Sequence, residues 1–156
     1  MKVITKNKSA YLDYEIIDTY TAGVVLHGYE VKSIKGSHVN IKDAIVKRDE
    51  PTRHLKIRNM DIPLYERTSP LIVPGYQPKA PRDLLVTSKE LAKIVAKTTK
   101  TGNSIIPLEI QVNTRGKIVI LIAVAARRKK VEKKQYIKEK EMQREMDRTI
   151  KAMRRS

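Results

Sequence analysis

Five short segments dense in valine and isoleucine set the terms for this chain: TYTAGVVL (19–26), DAIVKR (43–48), HLKIRNMDI (54–62), SIIPLEIQV (104–112) and GKIVILIAVAA (116–126). Their length and β-branched content predict strands. The DEPT turn at 49–52 predicts a hairpin between the strand ending at Arg48 and the one starting at His54, and NTRG at 113–116 predicts a second, joining Glu109–Val112 to Lys117–Ala125. Pro107 has no N–H to give to a ladder, so its strand is expected to begin there or to lie at an edge. Helix signals are fewer. Ser88 is placed to cap KELAKIVAKTT, where Leu91, Ile94, Val95 and Thr98 share a face, and Gly102 ends the run. In HGYEVKSIKG (27–36), Val31 and Ile34 lie three apart and Gly36 can stop a short helix. The class that results is mainly β with a few helices: a small antiparallel barrel.

Charge limits the partners. The 156 residues hold 33 Lys and Arg against 17 Asp and Glu, a formal net charge of +16, with a sequence pI near 10.1. Polyanions fit such a chain, and RNA or DNA fits it better than an anionic membrane surface. No apolar run approaches the ~18 residues of a spanning helix, and MKVITKNKSAY has no apolar stretch of the secretory kind. The absence of cysteine rules out a disulfide framework and a thiolate zinc site, and agrees with a reducing cytoplasm. The excess charge is uneven. Residues 127–156 carry 13 basic and 5 acidic side chains, half of the net charge in a fifth of the chain. The division expected is a barrel at 1–126 and a basic tail at 127–156. In RRKKVEKKQ (127–135) Val131 is the only aliphatic residue, which predicts disorder in the free protein. Farther on, Met142, Met146, Ile150 and Met153 form one narrow helical stripe, so the distal part is expected to become helical on contact with a partner, the alternative being a helix docked permanently through the methionines.

Nothing in the sequence points to catalysis. His27, His38 and His54 are scattered, and there is no GxSxG, no GxxxxGK[ST] and no GxGxxG. The expectation is a non-enzymatic protein with no metal and no cofactor. The helices are too few for a helix-turn-helix reader, and a small barrel with basic loops suits structured or single-stranded RNA. With seven Tyr and neither Phe nor Trp, a broad stacking platform is not expected. Tyr29 and Tyr76 are stacking candidates or else part of the core rim. The proline-rich stretch SPLIVPGYQPKAPR (69–82), with Pro70, Pro74, Pro78 and Pro81, predicts a long loop that offers Lys79 and Arg82 for binding.

GYEVKS (28–33), NIKD (40–43), PRDLL (81–85), the helix KELAKIV (89–95) and the order of strands after it resemble the SsrA-binding protein family, small protein B, of bacterial trans-translation. The likeness covers roughly residues 6 to 134. It implies an OB-like barrel with flanking helices that binds the tRNA-like domain of tmRNA and delivers it to stalled ribosomes. The basic tail would act on rRNA at the decoding centre, with elongation factor Tu joined through the tmRNA complex and the protein itself a monomer. The RNA-binding positions implied are Asn7, Lys8, Glu30, Lys32, Ser33, Lys35, Asn40, Lys42, Lys79, Arg82 and Leu85, and the decoding tail is Arg127, Arg128, Lys129, Lys130, Glu132, Lys133 and Lys134.

Glu30, an acid between two glycines ahead of Lys32, Ser33 and Lys35, has two readings. It complements the dipole of a short helix, at about 0.3–1 kcal/mol, or it fixes the motif's geometry and accepts from a base amino group. Thr21 and Asp83 depart from the family pattern, which has an acid and a basic residue there. In the tail, Arg127, Arg128 and Lys129 stand over Gly-Lys-Lys, Val131 over an aromatic residue or His, and Glu132, Lys133 and Lys134 over Asp-Lys-Arg; charge is kept and the ring is lost. A general RNA chaperone or another ribosome-associated RNA-binding protein is the alternative reading, since either would use the same basic tail without needing GYEVKS.

Overall fold

The computed structural model describes residues 1–68, 71, 73–99 and 102–155; of the loop prolines, Pro70 lies outside them. Among the described residues there are seven strands, β1 (Lys2–Lys6), β2 (Tyr14–Val24), β3 (Ile45–Arg48), β4 (Leu55–Arg58), β5 (Arg82–Leu85), β6 (Asn103–Val112) and β7 (Ile118–Arg127), and four helices, α1 (Lys8–Asp13), α2 (Gly28–Lys35), α3 (Ser88–Thr98) and α4 (Lys130–Arg155). All pairings are antiparallel. The order β6-β3-β4-β5-β2-β7 closes on itself because β7 also pairs with β6, and β1 is added along β6. Closure removes the exposed edges that six short strands would otherwise leave.

Both predicted hairpins form. In the NTRG turn the Asn113 side chain accepts from the N–H groups of Arg115 and Lys117 at 2.9 and 3.0 Å, and Gly116 takes the left-handed conformation that the turn demands, φ 78°. The DEPT turn is closed by Asp49, whose N–H donates to the His54 carbonyl at 2.8 Å and whose side chain accepts from the Thr52 hydroxyl at 2.8 Å.

The unbroken apolar run of β7 follows from burial on two sides. Ile118, Ile120, Ile122 and Val124 face the barrel interior with Ala22, Leu55, Ile57 and Leu84, while Ala123 and Ala125 face outward onto Ala10 of α1. In β6 the phase changes partway: Ile105 and Ile110 are interior, Ile106 and Leu108 exterior. An odd spacing of five between two interior residues requires one extra residue, and the β6–β7 register does shift between Pro107 and Glu109.

Pro107 therefore lies inside its strand and not at its start or at a sheet edge. Its place is a bulge, on a side of β6 that β3 joins at Ile105 and β1 joins from Glu109 onward. No ladder N–H is required between them. The N-cap of α3 is Thr87, one residue before Ser88, because Thr87 and Glu90 form a capping box; the Glu90 N–H donates to Thr87 Oγ1 at 3.2 Å and Glu90 Oε1 accepts from the Thr87 N–H at 3.1 Å. Ile94 anchors α3 in the core.

Where α3 meets β2, Asp18 accepts from Lys97 of α3 and from the Tyr20 hydroxyl. These bonds, that of Lys97 foremost, hold the Asp18 carboxyl below its ordinary range. Because the folded value lies under the unfolded one, the stabilisation is fully present above about pH 4 and is lost as pH falls through the lower folded value. Asp18→Asn should therefore flatten the acid limb of a Tm-against-pH curve, and an unchanged limb would show that the bond does not matter to folding.

Candidate nucleic-acid interface

GYEVKS folds as α2, and its alternation of buried and exposed residues divides the motif. Glu30, Ser33 and Ile34 point inward; Lys32 and Lys35 point out. Ile34 is fully buried in the core, and Ser33 donates to the Pro63 carbonyl at 2.6 Å, so this face is tied to the barrel and to the loop after β4. At the first turn Glu30 Oε1 accepts from the His27 N–H at 3.0 Å, which is the helix-terminal role expected of an acid there.

The other oxygen does more. Glu30 Oε2 meets Arg82 Nε at 2.6 Å with both side chains 5% exposed. Arg82 Nη1 donates to the carbonyls of Met60 (2.8 Å) and Ala80 (3.1 Å), and Nη2 to the Pro78 carbonyl (3.0 Å) and the Tyr76 hydroxyl (3.2 Å). All five N–H groups of the guanidinium thus have acceptors, and one side chain gathers α2, the segment after β4 and the proline-rich loop. Tyr76 in turn donates to the Ile62 carbonyl at 2.7 Å. Burial, with Glu30 nearby, pushes its hydroxyl up from the ordinary tyrosine value, which keeps it a donor.

A second brace continues this one. Asn40 and Asp61 exchange backbone bonds at 2.9 Å, Asn40 Oδ1 accepts from the Lys42 N–H at 2.9 Å, and buried Asn7 donates from Nδ2 to the carbonyls of Pro107 (3.1 Å) and Ile41 (3.4 Å). From Arg82 through Met60, Asp61, Asn40 and Ile41 to Asn7, polar links join β5, the segment after β4 and the turn before α1, while Lys32, Lys35, Lys42 and Lys79 are exposed. Lys32 Nζ lies 5.8 Å from the centroid of the Tyr65 ring.

The structure sorts the implied site residues into two sets. Asn7, Glu30, Ser33 and Arg82 are buried and bonded to protein, so they shape the face; Lys8, Lys32, Lys35, Asn40, Lys42 and Lys79 are exposed. Leu85 stands on the outside of β5, 55% exposed, away from the brace. Tyr29 and Tyr76 pack edge to face, centroids 5.4 Å apart, and His27 stacks on Tyr29 at 5.2 Å with planes 8° apart. The contribution of Tyr65 carries no local sequence signal, since it comes from long-range packing of the segment after β4 near Lys32, whereas the His27 contacts are local, to Tyr29 and Glu30 of α2.

The tail is one helix, α4, with no buried residue. RRKKVEKKQ, for which composition predicts disorder, runs from the last residue of β7 into the first turns of α4, held by contacts other than apolar burial. Lys133 pairs with Asp13 of α1 at 2.6 Å, the Arg128 guanidinium lies 4.1 Å from the Tyr136 ring, and Glu132 accepts from the Lys129 N–H at 3.2 Å. Gln135–Glu139 and Gln143–Asp147 bonds, both 3.1 Å, support later turns. Met142, Met146, Ile150 and Met153 are all exposed, as are Arg127 at the end of β7 and Lys130 and Lys134 of α4. Among the described residues no helix is long and apolar enough to cross a membrane, and no cluster of His, Asp or Glu could hold a metal ion.

A closed barrel with one cationic, internally braced face and a long cationic helix belongs to the nucleic-acid-binding class. The comparisons narrow the class. The SmpB protein family model matches residues 4–152. The SsrA-binding protein of Thermosipho africanus (strain TCF52B) is 38% identical over 156 residues, covering 99% of this chain and 100% of the relative, and that of Coprothermobacter proteolyticus is 41% identical over 148 residues, covering 95% and 96%. A solved structure described as "tmRNA-SmpB: a journey to the center of the bacterial ribosome" matches with a TM-score of 0.65 at 30% identity, over 88% of this chain and 95% of the other. The chain belongs to the SmpB family of SsrA-binding proteins.

Proposed function

We propose that this chain is a non-enzymatic RNA-binding protein that holds the tRNA-like domain of tmRNA on the face built around α2 and carries it to stalled ribosomes in the cytoplasm. The observation that carries the reading is the folded GYEVKS motif: its buried half locks the surface through Glu30 and Arg82 while Lys32 and Lys35 stay free for phosphate. The body at 1–126 and the tail at 127–156 have separate tasks. Elongation factor Tu joins through the bound tmRNA, and one copy of the protein suffices. The distal turns of α4 have no buried residue and an exposed helix of this kind is marginal in water, so they are fixed as helix by rRNA at the decoding centre and fray in its absence.

Lys32→Ala tests the face. The variant should bind the tRNA-like domain more weakly and lose about one unit of slope in log K against log salt, as one lost phosphate contact does. Weaker binding with the wild-type slope would assign Lys32 to folding instead.

A further inference from the structure

Beside the brace lies a cleft of about 400 Å³ between α2 and the loop that leads into β5, lined by His27, Tyr29, Tyr76, Lys56 and Asp83 among others. Its size is that of a small-ligand site. Two carboxylates border it, and they differ. Glu30 is saturated by Arg82 and the His27 N–H. Asp83 is half-exposed, and among the described residues its Oδ1 accepts no hydrogen bond; the Lys56 ammonium stands 3.8 Å away, shared with Asp49 at 3.4 Å. Oδ1 itself is buried beside Lys56, so the exposed part of this half-exposed carboxylate is what an incoming donor meets, at a cleft whose wall ends in a ring stack. Tyr29 covers one face of His27, and exposed His27 leaves the other for a third ring.

We infer that this cleft receives one unpaired nucleobase that carries an exocyclic amino group, stacked on His27 with the amino group donating to Asp83. This rests on the RNA-binding role proposed above and adds a base preference to it. A carboxylate accepts from cytosine N4 or adenine N6 and repels the carbonyl oxygens that uracil and hypoxanthine present at the same positions. Stacking supplies affinity that any base can use, so the ring wall sets strength and Asp83 sets choice. Lys56 offsets the charge of Asp83, which lets the phosphate of the inserted nucleotide approach.

The test pairs RNA hexamers that differ by that one group, cytidine against uridine and adenosine against inosine, titrated into the full chain and followed at the Tyr29 ring by NMR. Backbone binding to the tail is common to each pair and cancels in the ratio. The amino-bearing member should bind about tenfold more tightly in each pair. Asp83→Asn, which can donate as well as accept, should bring both ratios to about one, while His27→Ala should weaken every hexamer and keep the ratios. Equal binding within each pair, or ratios that survive Asp83→Asn, overturns the inference. Binding of the tRNA-like domain by the same samples is read separately, so a protein that holds that RNA without discriminating hexamers loses only the cleft.

Discussion

Arg82→Ala is expected to lower the free energy of unfolding by about 3–5 kcal/mol, the range for removing one member of a buried ion pair. The side chain feeds five acceptors, and its loss leaves Glu30 ionised at 5% exposure with only the His27 N–H on one oxygen and a long 3.4 Å bond from the Tyr76 hydroxyl on the other. Against a typical stability of about 5–15 kcal/mol, the variant stays folded but only just. Lysine is no substitute. Its ammonium has three donors at one point and cannot span carbonyls contributed by Met60, Pro78 and Ala80. Urea unfolding measures the loss, and RNA titration should show affinity for the tRNA-like domain falling with it, because the loop bearing Lys79 and the segment bearing Tyr65 are fixed through Arg82. A loss under about 1 kcal/mol would mean that the pair behaves like a surface salt bridge and that the brace does not organise the face.

Removing α4 should have the opposite signature. A chain ending at Lys129 keeps β7 and the 2.8 Å bond from the Arg128 N–H to the Asp13 carbonyl, and loses no residue of either core cluster. It should unfold near the wild-type temperature and bind the tRNA-like domain within tenfold of the full chain, ~1.4 kcal/mol. Peptide tagging on stalled ribosomes should nevertheless be abolished. Retained tagging would deprive the tail of its role, and a greater loss of affinity would place the tail in the primary RNA site.

How much of this could be read in advance varied with the range of the interactions. The hairpins, the barrel class and α2 rest on local signals such as NTRG, DEPT and the Val31–Ile34 spacing, and these appear as written in the chain. β5 escaped because RDLL is only four residues after a proline and owes its strand state to pairing with β2 and β4. β1 and α1 escaped for a similar reason: KVITK gains a partner in β6, and α1 is held by packing of Ala10 on small residues of β7. Within the site, the motif pointed to Glu30, Lys32, Ser33 and Lys35 without dividing them into a buried and an exposed set. Sequence places Glu30 and Arg82 fifty-two positions apart, so nothing local marks them as one ion pair. The helix-terminal reading of Glu30 was half of its job, with the Arg82 contact the other half.

Everything here turns on one claim, that the α2 face selects one structured RNA. The direct measurement is the RNA that copurifies with the untagged, full-length protein after nuclease-free lysis at moderate salt, taken alongside Lys32→Ala. The account predicts a single predominant small RNA that carries the tRNA-like domain, depleted in the variant. Bulk rRNA or DNA in its place, unaffected by Lys32→Ala, would contradict it.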